Sequence, residues 1–499
     1  MTNLFADLPG GVYSYTVSSG EGTLEFEVLM STDWYVDDLG TAADSNKGFT
    51  PEFPKGTLAG AMNVAASGDT IHALPGTYSV GTMRNSMNKD YYMQSRVVVK
   101  AGVILESTDG PEKTIILGAK ATSEGGQVND YGCGSNAVRC AYVTSTGKLR
   151  GFTLTGGRVN HIGSDYDDVS NGGGVRGDYG GTAPKATVED CIISNNVARI
   201  GGAGHWVRFV RCRLFDNYAV GREALGWYNA FIDTIAASNH SANGTASFRY
   251  GEVINSTFGQ EFKLDDTEHS NAFYESLGGQ TFANNIVKGY VNYSGTKHTA
   301  VNCLLPGGTN LTKQDCPTAT WDELLLGAGF KPAKESPAVD SGVENRGFSG
   351  ETDAYGGQRV YNGKVDIGAV EYDWRNDYTK DIAKREVVVS AADPQVIERE
   401  GKVTLDPGAS LTAEWTPVGE SARCDVKASV TGTGTLTVSV DGAAIGTVTA
   451  ADSPKTFNFG GAIGETSKIV FAYSQAEDDE GCAVIEKIGS QKGFLLLVR

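Results

Sequence analysis

Short apolar segments broken by a single polar residue recur along the middle of the chain, from about residue 148 to residue 304. Residues 188–193 and residues 209–214 are two copies, with a cysteine at the same place in each. That place recurs roughly every 20 residues, at Cys191, Cys212, Thr234, Ser256, Asn285 and Cys303. A single repeat cannot bury its own apolar face, but stacked repeats form a continuous core. The pattern therefore predicts a parallel β-helix in which each repeat is one coil.

A second set of positions supports the same stacking. Asn196, Asn217 and Asn239 follow the first three of those places at a constant spacing. Asn side chains stacked at a corner can hydrogen-bond along the helix axis and tolerate a left-handed backbone. Cys191 and Cys212 are expected to lie about 4.8 Å apart in adjacent coils. That stacking favours a ladder of small side chains over a metal site.

The two ends of the chain differ from its middle. Residues 1–31 alternate like strands, and are either the remnant of a preceding domain or an addition to the edge of the solenoid. Residues 58–66 predict a short helix that covers the open end of the coils. We expect an all-β chain: the β-helix at 32–372, a polar linker at 373–384, and an antiparallel β-sandwich at 385–499.

Composition and charge narrow the range of functions. The chain has 65 Gly, which suits many tight turns, and a net charge of −18. Binding to phosphate needs a basic face, so we expect no nucleic-acid partner. The acidic excess is explained by solubility, or by affinity for Ca²⁺ or a basic ligand. No segment of the sequence is long and apolar enough to predict a membrane span.

The cysteines bear on the cellular compartment. The chain has eight of them, and three local pairs are candidates for disulfides: Cys133–Cys140, Cys303–Cys316 and Cys424–Cys482. The alternative is a set of scattered, buried thiols. If the pairs form, the compartment is oxidising. The sequence shows no export signal, and we expect one to have been removed from a secreted or cell-surface protein.

Several segments resemble known β-helix proteins. Residues 35–37, the turn at 44–48, the short helix and residues 68–78 resemble the N-terminal cap of right-handed parallel β-helix proteins of the pectin-lyase-like superfamily. Residues 336–372 are similar to the choice-of-anchor Q domain, and residues 194–203 resemble the repeats of polymorphic outer-membrane proteins. The resemblance implies a right-handed β-helix in an extracellular setting. That superfamily includes lyases, hydrolases, epimerases and adhesins, so the fold does not decide the function.

Two long insertions interrupt the coils, at residues 156–180 and 259–279, and such loops are where a site has room. Both leave the same strand of the repeat, so we expect them to flank the coils that begin near residues 191, 212 and 234. The predicted catalytic residues are Asp168, Arg222, His240, Asp266 and Glu268. The predicted substrate-binding residues are Arg199, Trp206, Tyr218, Trp227 and Arg249, and the predicted metal ligands are Asp165 and Asp167.

Two reactions fit these residue types. A polysaccharide lyase needs a base, for which Arg222 or His240 is a candidate, and cations that stabilise the developing enolate, with Ca²⁺ held by the acidic loop. An inverting hydrolase needs two carboxylates roughly 6.5–9.5 Å apart, which Asp168 with Asp266 or Glu268 could supply. Trp206 and Trp227 could stack on sugar rings. The same residues also fit solvated turns and ordinary packing.

The sequence therefore predicts a monomeric, secreted or surface β-helix protein that recognises an extracellular polysaccharide or cell-surface glycan and could cleave it. The polygalacturonase-type pairs of aspartates are missing, and no lyase signature is present. A non-catalytic adhesin or stalk is the alternative. In the sandwich, Trp415 and Tyr473 are candidates for a carbohydrate-binding surface, with a passive spacer as the alternative.

Overall fold

A computed structural model of the chain describes most of its residues. The chain divides into two compact units, Met1–Tyr372 and Asp373–Arg499. The described residues are 11–19, 22–30, 32–39, 42–88, 91–122, 128–160, 167–181, 183–242, 247–268, 271–274, 282–292, 298–343, 352–360, 364–372, 387–392, 396–399, 402–405, 407–415, 423–460, 466–475 and 481–490. The predicted linker at 373–384 lies outside them.

Residues 186–205 show how one coil is built. The strand Ala186–Glu189 ends at a residue with left-handed backbone, Asp190, whose φ is 53°. The strand Ile192–Ser194 then ends at Asn195, whose φ is 54°, and two short strands complete the turn. Each strand pairs in parallel with its equivalent in the next coil, as Val188 does with Phe209. The right-handed parallel β-helix predicted from the repeats is confirmed.

The strands of successive coils form long sheets. Sheet 1 contains Asp33–Val36, Thr70–Ala73, Ile104–Ser107, Lys148–Arg150, Ala186–Glu189, Val207–Val210, Ala230–Ile232, Val253–Ile254, Phe282–Ala283, His298–Val301 and Leu311–Gln314. Sheet 2 contains Gly76–Tyr78, Thr114–Leu117, Thr153–Thr155, Ile192–Ser194, Arg213–Phe215, Ile235–Ala237, Thr257–Phe258 and Ile286–Val287.

Three shorter sheets close the coils. Sheet 3 contains Met83–Asn88, Tyr91–Val99, Val138–Val143, Val175–Gly177 and Gly204–His205. Sheet 4 contains Val197–Ala198, Tyr218–Ala219, His240–Ser241 and Phe262–Lys263. Sheet 5 contains Gly226–Trp227, Phe248–Arg249, Asn271–Tyr274, Tyr290–Asn292 and Gly308–Thr309. Outside these sheets, Gly11–Ser19 and Gly22–Met30 form an antiparallel hairpin.

The predicted short helix spans Leu58–Val64, and its residues Leu58, Ala61 and Met62 are buried in the core of the coils. The Thr57 hydroxyl caps it by accepting a hydrogen bond from the backbone of Gly60. The remaining described helical segments are single turns at Asp167–Ser170, Asp322–Leu324, Ala328–Phe330 and Ala450–Asp452. No helix in the described part of the chain has the length and hydropathy of a membrane span.

The row of small and polar residues predicted from the repeat forms a buried ladder. The backbone N–H of Cys212 donates to Oγ1 of Thr234 over 3.3 Å, and that of Thr234 donates to Oγ of Ser256 over 3.2 Å. The N–H of Ser256 donates to Oδ1 of Asn285 over 2.9 Å. Every coil thus satisfies a backbone donor of the preceding one, which fixes the register of stacking.

The predicted Asn ladder is also confirmed, and it continues into a buried acid. Nδ2 of Asn196 donates to Asn217 over 3.0 Å, and Nδ2 of Asn217 donates to Asn239 over 2.9 Å. Glu261 takes the next place and accepts from both the backbone and the side chain of Asn239. Burial raises the pKa of Glu261 well above its ordinary value. The folded chain therefore holds the proton of this carboxyl to a higher pH than the unfolded chain does.

Replacing Glu261 with Gln is expected to stabilise the β-helix at pH 8, by on the order of 1 kcal/mol. The unfolded carboxyl loses its proton near its ordinary pKa, whereas the folded one, with its raised pKa, loses it at a higher pH, so wild-type stability falls as pH rises through that range. The Gln variant lacks that dependence. Urea unfolding at pH 5 and pH 8 measures the difference, with the exposed Glu335→Gln as control. Equal pH slopes for wild type and Glu261→Gln would contradict the assignment.

Residues 332–343, 352–360 and 364–372, here called the clasp, fold back over the outer side of sheet 2. Asn284 Nδ2 donates to the carbonyl of Val343 over 2.9 Å, and the N–H of Ala369 donates to Oγ1 of Thr257 over 2.9 Å. Ile235 and Ile286, which point out of sheet 2, are buried in apolar clusters with clasp residues. This side of the coils is therefore covered by the chain itself.

Arg359 holds the clasp to the coils through a buried ionic cluster. Its Nη1 lies 2.8 Å from Oε1 of Glu371, and its Nε lies 3.3 Å from Oδ1 of Asp233, which belongs to a coil. All three side chains are buried. Burial raises the pKa of Glu371 to about 9 and also raises the pKa of Asp366. Arg359 thus joins a carboxyl of the clasp to a carboxyl of a coil.

The second unit contains two antiparallel sheets, which confirms the predicted sandwich. One contains Val387–Ala392, Ser410–Trp415, Thr435–Val440, Ala443–Val448 and Ser467–Ser474. The other contains Val396–Arg399, Lys402–Leu405, Arg423–Val430, Lys455–Gly460 and Ala483–Ser490. Trp415 and Tyr473 are buried in the core of this unit. The prediction that these two rings form a carbohydrate-binding surface is wrong, because both are needed for packing.

All eight cysteines are free thiols in this structure. Val430 pairs with Ala483, so Cys482 lies at one end of a strand and Cys424 at the other, on the order of 20 Å away. Cys140 lies in the main core, whereas Cys133 packs with Val159 and Val197 in a separate cluster. The prediction of a Cys424–Cys482 disulfide is therefore wrong, and the structure shows no disulfide bond at Cys133–Cys140 or at Cys303–Cys316.

Candidate functional site

The two insertions flank the middle coils at one corner. The N–H of Arg199 donates to the carbonyl of Ser170 over 2.9 Å, so the described end of the first insertion borders the coil at 199–203. On the far side, Phe262 and Lys263 pair with His240 and Ser241, so the second insertion borders the coil at 240–249. Arg222 lies in the turn between those two coils. The structure thus places the insertions where the repeat spacing predicts them.

The acidic residues of the two insertions differ in what the structure describes. The backbone of Asp168 belongs to the helical turn Asp167–Ser170, but its side chain lies outside the described residues. Inverting hydrolases need carboxylates roughly 6.5–9.5 Å apart. The predicted hydrolase pairing of Asp168 with Asp266 or Glu268 therefore stays a prediction. Glu268 forms a backbone bridge with Phe262 and its side chain is exposed.

Tyr218, His240 and Asp266 come together on the outer side of sheet 4. Tyr218 pairs with His240 in adjacent strands, and their rings stack with centroids 4.4 Å apart. Phe262 covers the other face of His240, with centroids 5.6 Å apart. The imidazole is thus fixed between two rings, one from each neighbouring coil.

The second insertion determines how His240 is hydrogen-bonded. Nδ1 of His240 lies 3.3 Å from the carbonyl oxygen of Lys263 and 3.4 Å from Oδ1 of Asp266. Both neighbours are acceptors, so the neutral ring carries its proton on Nδ1 and keeps the lone pair on Nε2. Asp266 reaches this place because a tight turn, with left-handed backbone at Asp266, folds back from Lys263. The arrangement is that of an oriented base.

Arg222, Trp227 and Arg249 form a second group with Glu223. The guanidinium carbons of Arg222 and Arg249 lie 5.6 Å and 5.4 Å from the centre of the Trp227 ring. Nε1 of Trp227 donates to Oε2 of Glu223, and Nε of Arg249 lies 3.1 Å from Oε1 of Glu223. Glu223 is fully buried, whereas Arg222 is exposed. The group carries two positive charges against one negative charge.

Alternation along short strands brings this second group together. Phe248 points into the core, so its neighbour Arg249 points out, directly beside Trp227 in the adjacent strand. The carbonyl of Arg199 accepts from the N–H groups of Gly221 and Arg222, which sets the two arginines in successive turns. A Cβ at Gly221 would lie 2.8 Å from Cγ of Arg199. Gly221 therefore allows the Arg199 side chain to lie against the next turn.

The prediction that Trp206 binds substrate is wrong. Its side chain is 1% exposed, so it offers no face to a sugar. It stacks on Tyr228 with ring centroids 4.0 Å apart, and Tyr228 stacks on Tyr250 at 4.8 Å. All three have left-handed backbone. The rings form a column along the axis, in which Tyr228 lies between Trp206 and Tyr250.

Sequence reasoning placed Glu223 at a turn beside the proposed groove but gave it no role, and it left His205 and Tyr250 out of the site. Glu223 links Trp227 to Arg249, yet nothing in its local sequence marks it as buried. His205 lies beside Trp227, with ring centroids 6.1 Å apart. Tyr250 contacts both Trp227 and Arg249. The aromatic residues at 206, 228 and 250 recur at the coil spacing, and this signal was available in the sequence.

The predicted metal ligands cannot be placed in the same way. Asp165 lies outside the described residues, as do the side chains of Asp167 and Asp168. The backbone of Asp167 and Asp168 opens the helical turn Asp167–Ser170. Among the side chains that are described, no group of three His, Cys, Asp or Glu is arranged to hold a metal ion. A Ca²⁺ site in this insertion stays a prediction.

No protein-family model matches this chain, and no curated protein matches it. Similar solved structures include pectate lyase Pel9A, with 14% identity, a TM-score of 0.38, and coverage of 68% of this chain and 96% of that one. A rhamnogalacturonan lyase shares 16% identity at a TM-score of 0.27, covering 55% and 68%. The enzymatically active domain of tailspike protein 4 of bacteriophage CBA120 shares 10% identity at a TM-score of 0.20, with coverage of 87% of this chain and 65% of that one. Likeness at this level carries no inference about activity.

Proposed function

We propose that this chain binds a polysaccharide bearing carboxylate groups, on the surface formed by Arg199, Arg222, Trp227 and Arg249. The observation that carries the proposal is the pair of guanidinium groups that flank the Trp227 ring. Clustered arginines are unexpected on a chain with a net charge of −18 unless they serve an anionic ligand. Guanidinium groups bind planar carboxylates with two parallel hydrogen bonds.

Glu223 makes this surface selective. Its buried carboxylate accepts from Trp227 and pairs with Arg249, so it holds both side chains in place while neutralising one charge. Arg222 is exposed and is the guanidinium best placed to meet a ligand first. A uronate presents one carboxylate per sugar, and its apolar ring face suits the Trp227 edge. Neutral glycans lack the charged contact.

A second candidate function is cleavage of the same polymer by β-elimination, and the orientation of His240 favours it. With its proton on Nδ1, His240 presents Nε2 as a base for the proton next to a uronate carboxyl. Arg222, from the preceding coil, and Arg249, from the same coil as His240, would stabilise the enolate that develops. His240 takes the proton, the electron pair of the broken C–H bond forms a carbon–carbon double bond, and the bond from the next carbon to the glycosidic oxygen breaks. A non-catalytic adhesin would use the same surface without this step.

The proposal also covers the source of the polysaccharide and the location of the chain. We infer an extracellular polysaccharide as the target, and a secreted or surface location for the chain. The clasp contains the residues whose sequence is similar to choice-of-anchor Q domains, and we propose that relationship for it. Ca²⁺ bound by Asp165 and Asp167 is part of the same proposal, since Ca²⁺ would bridge those carboxylates to a uronate.

Titration of the full chain with polygalacturonate and with a neutral glucan tests binding. We expect binding to polygalacturonate only, and at least a tenfold weaker affinity in the double variant Arg222→Ala, Arg249→Ala, because each charged hydrogen bond contributes about 1.5–3 kcal/mol. Arg208→Ala is the matched control, since Arg208 pairs with Glu252 at another side of the coils. Equal affinity for both glycans, or an unchanged double variant, would refute the proposal.

The same titrations separate binding from cleavage. Absorbance of unsaturated products should rise in wild type and fall at least a hundredfold in His240→Ala, while that variant keeps its affinity. Repeating both measurements with a chelator tests the Ca²⁺ prediction. Binding without any product would reject elimination and leave the adhesin.

A further inference from the structure

Cys303 and Cys316 occupy the last two places of the buried ladder. The strand His298–Val301 pairs in parallel with Leu311–Gln314, and Val301 lies opposite Gln314. The same register sets Cys303 opposite Cys316, and the N–H of Cys303 donates to Sγ of Cys316 over 3.2 Å. Neighbouring parallel strands lie about 4.8 Å apart. That separation falls within the Cα distances at which disulfides form, about 4.4–6.8 Å.

We propose that Cys303 and Cys316 are an oxidation site, at which a small-molecule disulfide converts the two thiols into a bond between the last two strands of sheet 1. This inference does not depend on the proposed glycan surface. It rests on the register of the two strands, on the hydrogen bond from the Cys303 backbone to Sγ of Cys316, and on access to Cys316.

The two thiols differ in a way that suits a stepwise exchange. Cys316 is half-buried, and a hydrogen bond from the Cys303 thiol lowers its pKa to about 6. Cys303 is fully buried, and burial raises its pKa well above the ordinary value. Cys316 therefore supplies the thiolate that reacts first, and Cys303 supplies the thiol that resolves the intermediate.

The exchange balances with oxidised glutathione as the reagent. The Cys316 thiolate attacks one sulfur of the reagent, which forms a Cys316–glutathione disulfide and releases one glutathione thiolate. Cys303 then loses its proton to solvent and attacks Sγ of Cys316, which displaces the second glutathione. Two protein thiols have become one disulfide, and one oxidised glutathione has become two reduced molecules.

The position of the pair gives the bond a role. Leu311–Gln314 is the terminal strand of sheet 1, paired with His298–Val301 on one side, and Thr312, Lys313 and Gln314 are exposed. Terminal strands open most easily. A covalent link to the preceding coil would keep this strand in register.

Cys191 and Cys212 are a matched control within the same ladder. They stack in adjacent coils in the same manner, but both are fully buried. Burial raises the pKa of Cys212 to about 12 and also raises the pKa of Cys191 well above its ordinary value. The proposal therefore predicts reaction at 303 and 316 and none at 191 and 212.

The reduced full chain is incubated with oxidised glutathione under native conditions, and thiols are then counted after denaturation. Besides any glutathione on Cys482, the other half-buried cysteine, we expect two thiols to disappear, with peptide mapping showing a Cys303–Cys316 link. Cys191→Ser should form the same link. Cys303→Ser should keep one glutathione on Cys316, and Cys316→Ser should leave Cys303 unmodified. The rate in wild type should change less than threefold between pH 7 and pH 8, whereas an ordinary thiol changes almost tenfold.

Three outcomes would overturn the proposal. One is a native chain that loses no thiols while unfolded chain reacts. Another is a bond mapped to different cysteines. The third is loss of the reaction in Cys191→Ser while Cys316→Ser still reacts. Because Cys316 is half-buried, Cys316→Ser is expected to fold, so these outcomes can be distinguished from misfolding.

Discussion

Replacement of Arg359 with Met is expected to lower the free energy of unfolding of the β-helix unit by about 3–5 kcal/mol. The variant leaves Asp233 buried with its charge uncompensated, because the Arg359 guanidinium, 3.3 Å away, is its ion-pair partner. The carbonyls of Gly368 and Asp366 also lose the donors that Arg359 provides. Chemical denaturation measures the loss, and hydrogen exchange should show that the clasp loses protection first.

Two further variants test the cause of this effect. In Arg359→Met combined with Asp233→Asn, the buried charge is gone, so the loss should be at least 1 kcal/mol smaller than in the single variant. Lys364→Met removes an exposed cation that lies 4.0 Å from Asp340, and should change stability by less than about 0.5 kcal/mol. If all three variants lost equal stability, the buried ion pair would not be what holds the clasp.

Replacement of Asn217 with Ala is expected to cost about 3 kcal/mol, because it interrupts the Asn ladder at its middle. Nδ2 of Asn217 donates to the carbonyl of Ile193 over 2.8 Å and to Asn239 over 2.9 Å. Its Oδ1 accepts from Asn196 over 3.0 Å. Each of those buried partners would lose one hydrogen bond, although Asn239 would keep the bond from the backbone of residue 217 and Asn196 the one to the Leu154 carbonyl. The deletion would also leave a cavity in a packed core.

The same denaturation experiment measures the Asn217 variant. Asn63→Ala is its control, since Asn63 is exposed on the helix Leu58–Val64 and Ala has the higher helix propensity. The control should be neutral or slightly stabilising. A loss below about 1 kcal/mol for Asn217→Ala would mean that the ladder only accompanies the stacking and does not stabilise it.

The fold could be predicted from the sequence because every coil places the same requirements on the residues at equivalent positions. The place of Cys191 must hold a residue that fits the interior and can accept a hydrogen bond from a backbone N–H group. Thr234, Ser256 and Asn285 meet this requirement, so their spacing in the sequence indicates the register. The left-handed corners just before these residues are equally regular, at Asp190, Arg211, Asp233, Asn255 and Asn284. Local sequence and global packing therefore point to the same answer.

The site could be predicted only in part, because its contacts depend on exposure and on distant segments. The repeat spacing placed Arg249 and Trp227 among the middle coils of the predicted site. It could not show that Trp206, which directly follows His205, would be covered by Tyr228. Nor could it show that Asp266 folds back onto His240. Both facts depend on turn conformation, which the repeat pattern does not specify.

The clasp was the least predictable element, since nothing local indicates which coils it contacts. Its residues meet Asp233, Thr257 and Asn284, which lie in successive coils. A bare solenoid is a one-dimensional array, in which each repeat is stabilised only by its neighbours and the ends can melt independently. A strap that fastens several repeats at once couples their opening. We therefore expect the C-terminal coils to unfold as a single cooperative block, while the coils before residue 230 remain free to melt one after another.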